Sequence, residues 1–223
     1  TAYEVQMCDW SSDVCSSELD WVEGEITGQG TARYPNGSVY EGTFEKGQPD
    51  GIGKITAPDG RTYEGDWIEG QMTGEGKAAY ANGSVYEGSF VKGTHNGKGK
   101  LTNPSGYTYE GDWVLGVKEG QGRITYPDGT VYDGTLVKGQ RSGKGKLTMP
   151  DGLSYQGDWA DGQINGKGIL TQPNGDLYEG SFKDGLRDGQ GKLTHKNGDI
   201  YFGTWAKDHR QGQGSFTTAD GFK

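Results

Sequence analysis

Apolar and polar residues alternate with period two over short stretches of this chain, and the stretches recur. Thr62-Tyr63-Glu64-Gly65-Asp66-Trp67 is typical. Successive side chains of a strand point to opposite faces, so Tyr63, Gly65 and Trp67 share one face while Thr62, Glu64 and Asp66 share the other. A second stretch, typified by Gly99-Lys100-Leu101-Thr102, puts Leu101 on the face of Gly99, opposite Lys100 and Thr102. Elsewhere the Leu101 position holds Ile55, Ala78, Ile124, Leu147, Leu170, Leu193 and Phe216. The pattern predicts two strands per copy, with one aromatic, aliphatic and glycine face and one face of Glu, Lys, Thr, Asp and Ser. No copy spaces apolar residues three and four apart over a useful length, so no helix is expected.

The interval is 23 residues, without insertion or deletion, from Tyr40 through Tyr63, Tyr86, Tyr109, Tyr132, Tyr155 and Tyr178 to Tyr201. Counted from these tyrosines, five phases account for all 43 glycines of the chain. One phase lies in Asn-Gly, Asp-Gly or Ser-Gly dipeptides such as Asn36-Gly37, which predict tight hairpin turns because both residues tolerate positive φ. Another surrounds Gly47 and Gly70 in a loop, followed by a Gly-x-Gly pair that also needs permissive backbone. A slower rhythm of 46 residues places Trp21, Trp67, Trp113, Trp159 and Trp205 in alternate copies, with Phe44, Phe90, Leu136 and Phe182 between them.

Composition narrows the fold class. Apolar residues are only 30% of the 223, too few for a large two-layer core, while 11% aromatics set the chain apart from a disordered linker. No apolar run approaches the ~18 residues that would span a bilayer. The expected fold is all-β: an elongated, single-layer antiparallel meander of hairpins. At ~4.8 Å per strand it would extend ~10 Å per copy and ~85 Å over nine copies. Its aromatics should pack over the strand glycines of neighbouring copies, and stability should be nearest-neighbour.

Residues 1–19 stand apart, and the array occupies 20–223, with a partial first copy, eight Tyr-phased copies and a last copy that stops within a repeat. Residues 8–19 match none of the phases and closely resemble one reading frame of a common sequencing-library adapter, with Glu18 where Asp is expected. The segment is read as non-native. It contains both cysteines, Cys8 and Cys15, which therefore say nothing of redox compartment. Without its three acids the formal charge moves from −9 to −6.

Tyr63-Glu64-Gly65-Asp66-Trp67, followed by Gly70, Gly74, Gly76 and Asn82-Gly83, resembles the MORN (membrane occupation and recognition nexus) repeat over about residues 20 to 223. Departures are Gln156 and Phe202 at the Glu position, Leu136 at the Trp/Phe position, Asp208 at one loop Gly and Ser105 in one turn. The resemblance implies a scaffold, assembly or targeting module built on a single-layer sheet.

Nothing in the pattern collects catalytic groups, because a regular repeat brings like residues together. His95, His195 and His209 fall in different phases and read as exposed loop or strand residues. Gly93-Thr-His-Asn-Gly97-Lys98 and its equivalents superficially suggest a phosphate loop. They have three residues between the glycines where four are needed, and Gly follows the Lys, so they read as hairpin loops. The Glu column (Glu41, Glu64, Glu87, Glu110, Asp133, Glu179) and the Lys column (Lys54, Lys77, Lys100, Arg123, Lys146, Lys192) should form a cross-strand ladder. The candidate interaction face is the aromatic column of Tyr40, Phe44, Tyr63, Trp67, Tyr86, Phe90, Tyr109, Trp113, Tyr132, Tyr155, Trp159, Tyr178, Phe182, Tyr201 and Trp205, read as a partly exposed trough. The expectation is a non-catalytic scaffold for a protein partner or self-association. The alternatives are a peripheral phospholipid-binding module, the targeting arm of an enzyme whose catalytic domain is missing, or a secreted glycan binder. No cofactor, metal or small-molecule substrate is inferred, and an acidic chain without a basic stripe argues against nucleic acid. Cytoplasmic or membrane-peripheral placement is favoured.

Overall fold

The computed structural model describes residues 19–22 and 25–222, with side chains from 25 onward. The segment read as foreign to the array lies outside the described residues, except that Leu19 opens the first strand. Contacts divide the chain into two units: Thr1–Pro104 with Trp113–Gly116, and Ser105–Asp112 with Val117–Lys223.

The first unit holds β1 (Leu19–Val22), β2 (Glu25–Arg33), β3 (Val39–Glu45), β4 (Gln48–Thr56), β5 (Thr62–Ile68), β6 (Gln71–Ala79), β7 (Val85–Val91) and β8 (Thr94–Thr102). Strand β9 (Thr108–Val114) contributes residues to both units. The second holds β10 (Val117–Thr125), β11 (Val131–Val137), β12 (Gln140–Thr148), β13 (Ser154–Ala160), β14 (Gln163–Thr171), β15 (Leu177–Lys183), β16 (Leu186–Thr194), β17 (Ile200–Ala206) and β18 (His209–Thr217). From β1 to β8, and again from β10 to β18, each strand pairs antiparallel with its sequence neighbours in a single layer. Among the described residues there is no helix. The all-β meander expected from the 23-residue pattern is the fold.

The two kinds of connection are assigned the other way round from the sequence reading. The two-residue turn is Lys46-Gly47, where both residues have positive φ (50° and 74°), the signature of a type I′ hairpin. It recurs as Glu69-Gly70, Lys92-Gly93 and Leu115-Gly116 in the first unit, and ends as Lys207-Asp208 in the second. At Asn36-Gly37 only the glycine has positive φ, at 83°. Here Asn36 Oδ1 accepts the Ser38 N–H and Gly37 N–H donates to the Tyr34 carbonyl, so the asparagine stabilises a longer connection through its side chain.

The segment Gly93–Lys98, read as a hairpin loop, lies mostly inside β8. Gly97 (φ 87°) marks a bulge there, between the Gly88↔Gly99 and Phe90↔His95 pairs. Between those pairs one residue of β7, Ser89, faces three of β8, Asn96, Gly97 and Lys98, which bends the ladder. Each I′ turn is stitched to the hairpin before it: Gly70 N–H donates to the Pro49 carbonyl, Gly93 to Met72 and Gly139 to Lys118, all at 2.8 Å.

Candidate functional site

The aromatic columns form the core of each unit. All fifteen side chains expected to form a partly exposed trough are buried, at 0 to 8% exposure. The reason is mutual edge-on packing. Tyr63 meets Trp67 at 5.4 Å and Phe90 at 4.9 Å between centroids, and in the second unit Tyr155 meets Trp159 at 5.5 Å and Phe182 at 5.1 Å, all near perpendicular. Beneath the rings lie glycines. A Cβ on Gly53 would fall inside the Tyr40 phenol, so only glycine fits there. The hydroxyls of Tyr40, Tyr63, Tyr86, Tyr109, Tyr132, Tyr155 and Tyr178 each donate to a carbonyl three residues on, as Tyr63 to Asp66 at 2.9 Å. Burial pushes the Tyr63 and Tyr155 phenols up to about 12, so both stay neutral donors.

The packing also shows what sets the Trp copies of the 46-residue rhythm apart. In the alternate copies the indole N–H donates back to a glycine carbonyl: Trp67 to Gly53 (3.0 Å), Trp113 to Gly99 (3.1 Å), Trp159 to Gly145 (3.1 Å) and Trp205 to Gly191 (3.3 Å). The aspartate before three of these tryptophans accepts the N–H of a residue in the next strand, as Asp66 from Glu75 and Asp158 from Lys167. Copies with Phe lack the indole donor, and Thr43 instead donates its hydroxyl to the Ile52 carbonyl.

Sequence reading missed one column altogether. Opposite each Trp, Phe or Leu of the ring column stands a slot whose occupant varies along the chain: Trp21↔Ile26, Phe44↔Pro49, Trp67↔Met72, Phe90↔His95, Leu136↔Arg141, Trp159↔Ile164, Phe182↔Arg187 and Trp205↔Arg210. Lys118 holds the same phase in β10. The imidazole and cationic slot side chains lie on rings. In the first unit the His95 imidazole stacks on Tyr86 at 3.6 Å between centroids and 12° between planes, and hydrogen bonds the Tyr80 hydroxyl at 2.5 Å. In the second, the Arg141 guanidinium sits 4.4 Å over Trp159, Arg187 4.3 Å over Trp205 and Arg210 4.4 Å over Tyr201, while Lys118 Nζ lies 4.5 Å over Tyr107.

On the polar face the charge ladder forms as expected. Its register runs Glu41↔Lys54↔Glu64↔Lys77↔Glu87↔Lys100 in the first unit, with Lys77 and Glu87 at 2.6 Å. In the second unit it is interrupted by Gln156, Ile169 and Phe202. There a groove of about 850 Å³ is lined by Asp133, Lys144, Lys146, Lys167, Ile169 and Phe202 over a floor of glycines.

The histidines differ from the exposed residues expected. Only His209 is exposed. His95 is half-buried and held well below its ordinary value, at about 4, by desolvation. His195 Nδ1 lies 3.0 Å from Asp176. Among the described residues no three His, Cys, Asp or Glu side chains are placed to share a metal ion, and no helix is long and apolar enough to cross a membrane.

A family model described as MORN repeat matches residues 20–39, 40–60, 63–85, 86–106, 109–131, 132–154, 155–177, 178–200 and 201–223. Among curated protein sequences, none matches the chain. Of solved structures, the G-box domain of the microcephaly protein CPAP is similar, with a TM-score of 0.53 at 16% identity over 85% of this chain and 98% of that one. That likeness is one of fold. The TCP10 domain of Danio rerio CPAP in complex with a STIL peptide aligns over 92% of this chain and 94% of its own at 15% identity and a TM-score of 0.47. The SAS-4 TCP domain of Drosophila melanogaster, in complex with a proline-rich motif of Ana2, aligns over 80% and 97% at 18% identity and a TM-score of 0.45.

Proposed function

The chain belongs to the MORN-repeat family, and from that premise we propose that it is a non-catalytic scaffold that docks a protein partner on the face carrying the ring columns. Nine matched repeats of one hairpin type fit a protein-interaction scaffold. The observation that carries the choice of face is the slot column. The rings under it repeat in every copy, whereas the slots run Pro49, Met72, His95, Lys118, Arg141, Ile164, Arg187 and Arg210. A surface that varies over a constant support can recognise one partner and refuse others. Tyr40, Tyr63, Trp67 and the rest act as that support, rigid and buried, and the contacts come from the slots above them.

The test is a displayed random-peptide library panned on the full chain, followed by rebinding to variants of each face. Enriched peptides should lose binding when Arg141 and Arg210 are replaced by Glu, and keep it when Lys146 and Lys167 on the polar face are replaced by Glu. The opposite outcome would move docking to the polar groove, and a library without enrichment would sink the scaffold reading.

A further inference from the structure

We propose that the slot column of the second unit is a docking strip for an extended acidic peptide whose carboxylates are spaced three residues apart. This rests on the reading that a partner docks on the ring-bearing face, and it adds the chemistry of that partner.

The charges come first. Lys118, Arg141, Arg187 and Arg210 occupy four of the five slots of this unit, with Ile164 in the middle. The chain carries a formal charge of −9, so a file of cations on one face is a local reversal of its overall sign. Arg187 is paired with Asp208, 2.9 Å from its Nε, and Asp176 is paired with His195, while Asp128 and Asp188 lie near Tyr126 and Tyr178. Among the described residues Lys118, Arg141 and Arg210 form no ion pair with an acid. The cations are also pre-oriented. Arg141 Nη2 donates to the Gly162 carbonyl at 2.7 Å, Arg187 Nη2 to the Asp208 carbonyl at 3.2 Å, and Arg210 Nη2 lies 3.4 Å from His195 Nε2. Each guanidinium has five N–H donors, so donors remain for a carboxylate, and a cation already held on a ring loses little freedom when one binds.

The spacing comes next. Consecutive slots are two strands apart, ~10 Å at the usual ~4.8 Å between strands. A chain in the polyproline II conformation has three residues per turn and a rise of ~3.1 Å per residue, so every third side chain returns to the same side after ~9 Å. A β-strand returns its side chains every ~7 Å and an α-helix every ~5 Å, and both fall out of step with the slots. The slot order of cation, cation, Ile164, cation, cation therefore fits an extended segment reading acid, acid, apolar, acid, acid at every third residue.

A flat anionic bilayer fits poorly. Lys118, Arg141 and Arg187 are half-buried on the rings, and the Arg187 side chain is 17% exposed, whereas attraction to lipid headgroups comes from protruding basic clusters.

The experiment uses the full chain and labelled peptides in fluorescence anisotropy. The probe is Glu-Pro-Pro-Glu-Pro-Pro-Leu-Pro-Pro-Glu-Pro-Pro-Glu, and its control is a scramble of the same composition with the glutamates adjacent. The probe should bind at least tenfold more tightly than the scramble, and more weakly as salt is raised. Arg141→Met with Arg210→Met keeps apolar cover on the rings and should weaken binding at least tenfold with little change in melting temperature. If that pair proves unfolded, Lys118→Met alone should weaken binding several-fold. Equal binding of probe and scramble, or unchanged binding in the folded variants, would overturn the proposal. So would retention by phosphatidylserine vesicles without any by the peptide. A library that enriches peptides lacking acids would overturn this inference and leave the scaffold standing. A library with no enrichment would remove both.

Discussion

In the first unit the slot column holds Ile26, Pro49, Met72 and His95, and in the second Lys118, Arg141, Ile164, Arg187 and Arg210. The polar faces differ as well: one ladder is continuous, and the other is interrupted at Gln156, Ile169 and Phe202. Yet the tyrosines, the glycines beneath them and a bulge in each hairpin recur in both, with Leu136 replacing one ring in the second. The difference teaches that the repeat specifies a support, and that chemistry resides in the few positions the repeat leaves free. Changes in the support should therefore cost both units alike, while changes in the slots should distinguish them.

The largest effect is expected where a side chain is forced under a ring. Gly53→Ala in the first unit and Gly145→Ala in the second place a methyl against Tyr40 and Tyr132, and each should cost about 3 kcal/mol or more in chemical denaturation. Tolerance of one and not the other would break the equivalence of the two supports.

Next come Trp67→Phe and Trp159→Phe, which remove the indole donors to Gly53 and Gly145 and some ring volume. About 1 to 2 kcal/mol should be lost at each. A clearly unequal pair would show that the 46-residue rhythm serves one unit only.

Exchange of slots should be milder. Met72→Arg and Arg141→Met should each shift stability by less than about 1 kcal/mol, because both side chains can lie over a ring. Melting curves check this, and a large loss at either site would make the slot part of the support.

His95 adds a difference in pH response that belongs to the first unit. Its folded value of about 4 lies below the ordinary 6.5, so the unfolded chain takes up the proton first as pH falls. The stability from burying neutral His95 is complete above about pH 6.5 and declines toward pH 4. The melting temperature should accordingly drop between pH 7 and 5, and His95→Gln should flatten that drop. An identical slope in the variant would assign the response elsewhere.

The smallest effect is Gln156→Glu, which restores a ladder carboxylate opposite Lys146. Exposed pairs contribute little, so no resolvable change in melting temperature is expected. A clear gain would show the interruption to be costly.

The hairpin fold was legible because its signals are obligatory: glycine under a ring and glycine in a turn leave fixed marks every 23 residues. The turn types were misread because Lys46 and Glu69 adopt positive φ with nothing in their chemistry to announce it, while Asn36, which does announce it, uses its side chain instead. The slot column was illegible for the opposite reason. Pro49, Met72, His95 and Arg141 share no property, so a search for recurrence passes over them. The one signal available was their constant distance from Trp, Phe or Leu across the two-residue turn. His95 was misread because its stacking depends on Tyr86, nine residues earlier in the preceding strand.

One backbone contact accounts for the freedom of the slots. The turn of each hairpin donates an N–H to the slot carbonyl of the hairpin before it, as Gly70 does to Pro49 and Gly162 to Arg141. A carbonyl is common to all twenty amino acids, proline included. A codon at these positions can therefore drift through almost any meaning without loosening the stitch. Such sites resemble movable type in a fixed frame: the backbone sets the spacing of the letters, and the text can be reset one letter at a time.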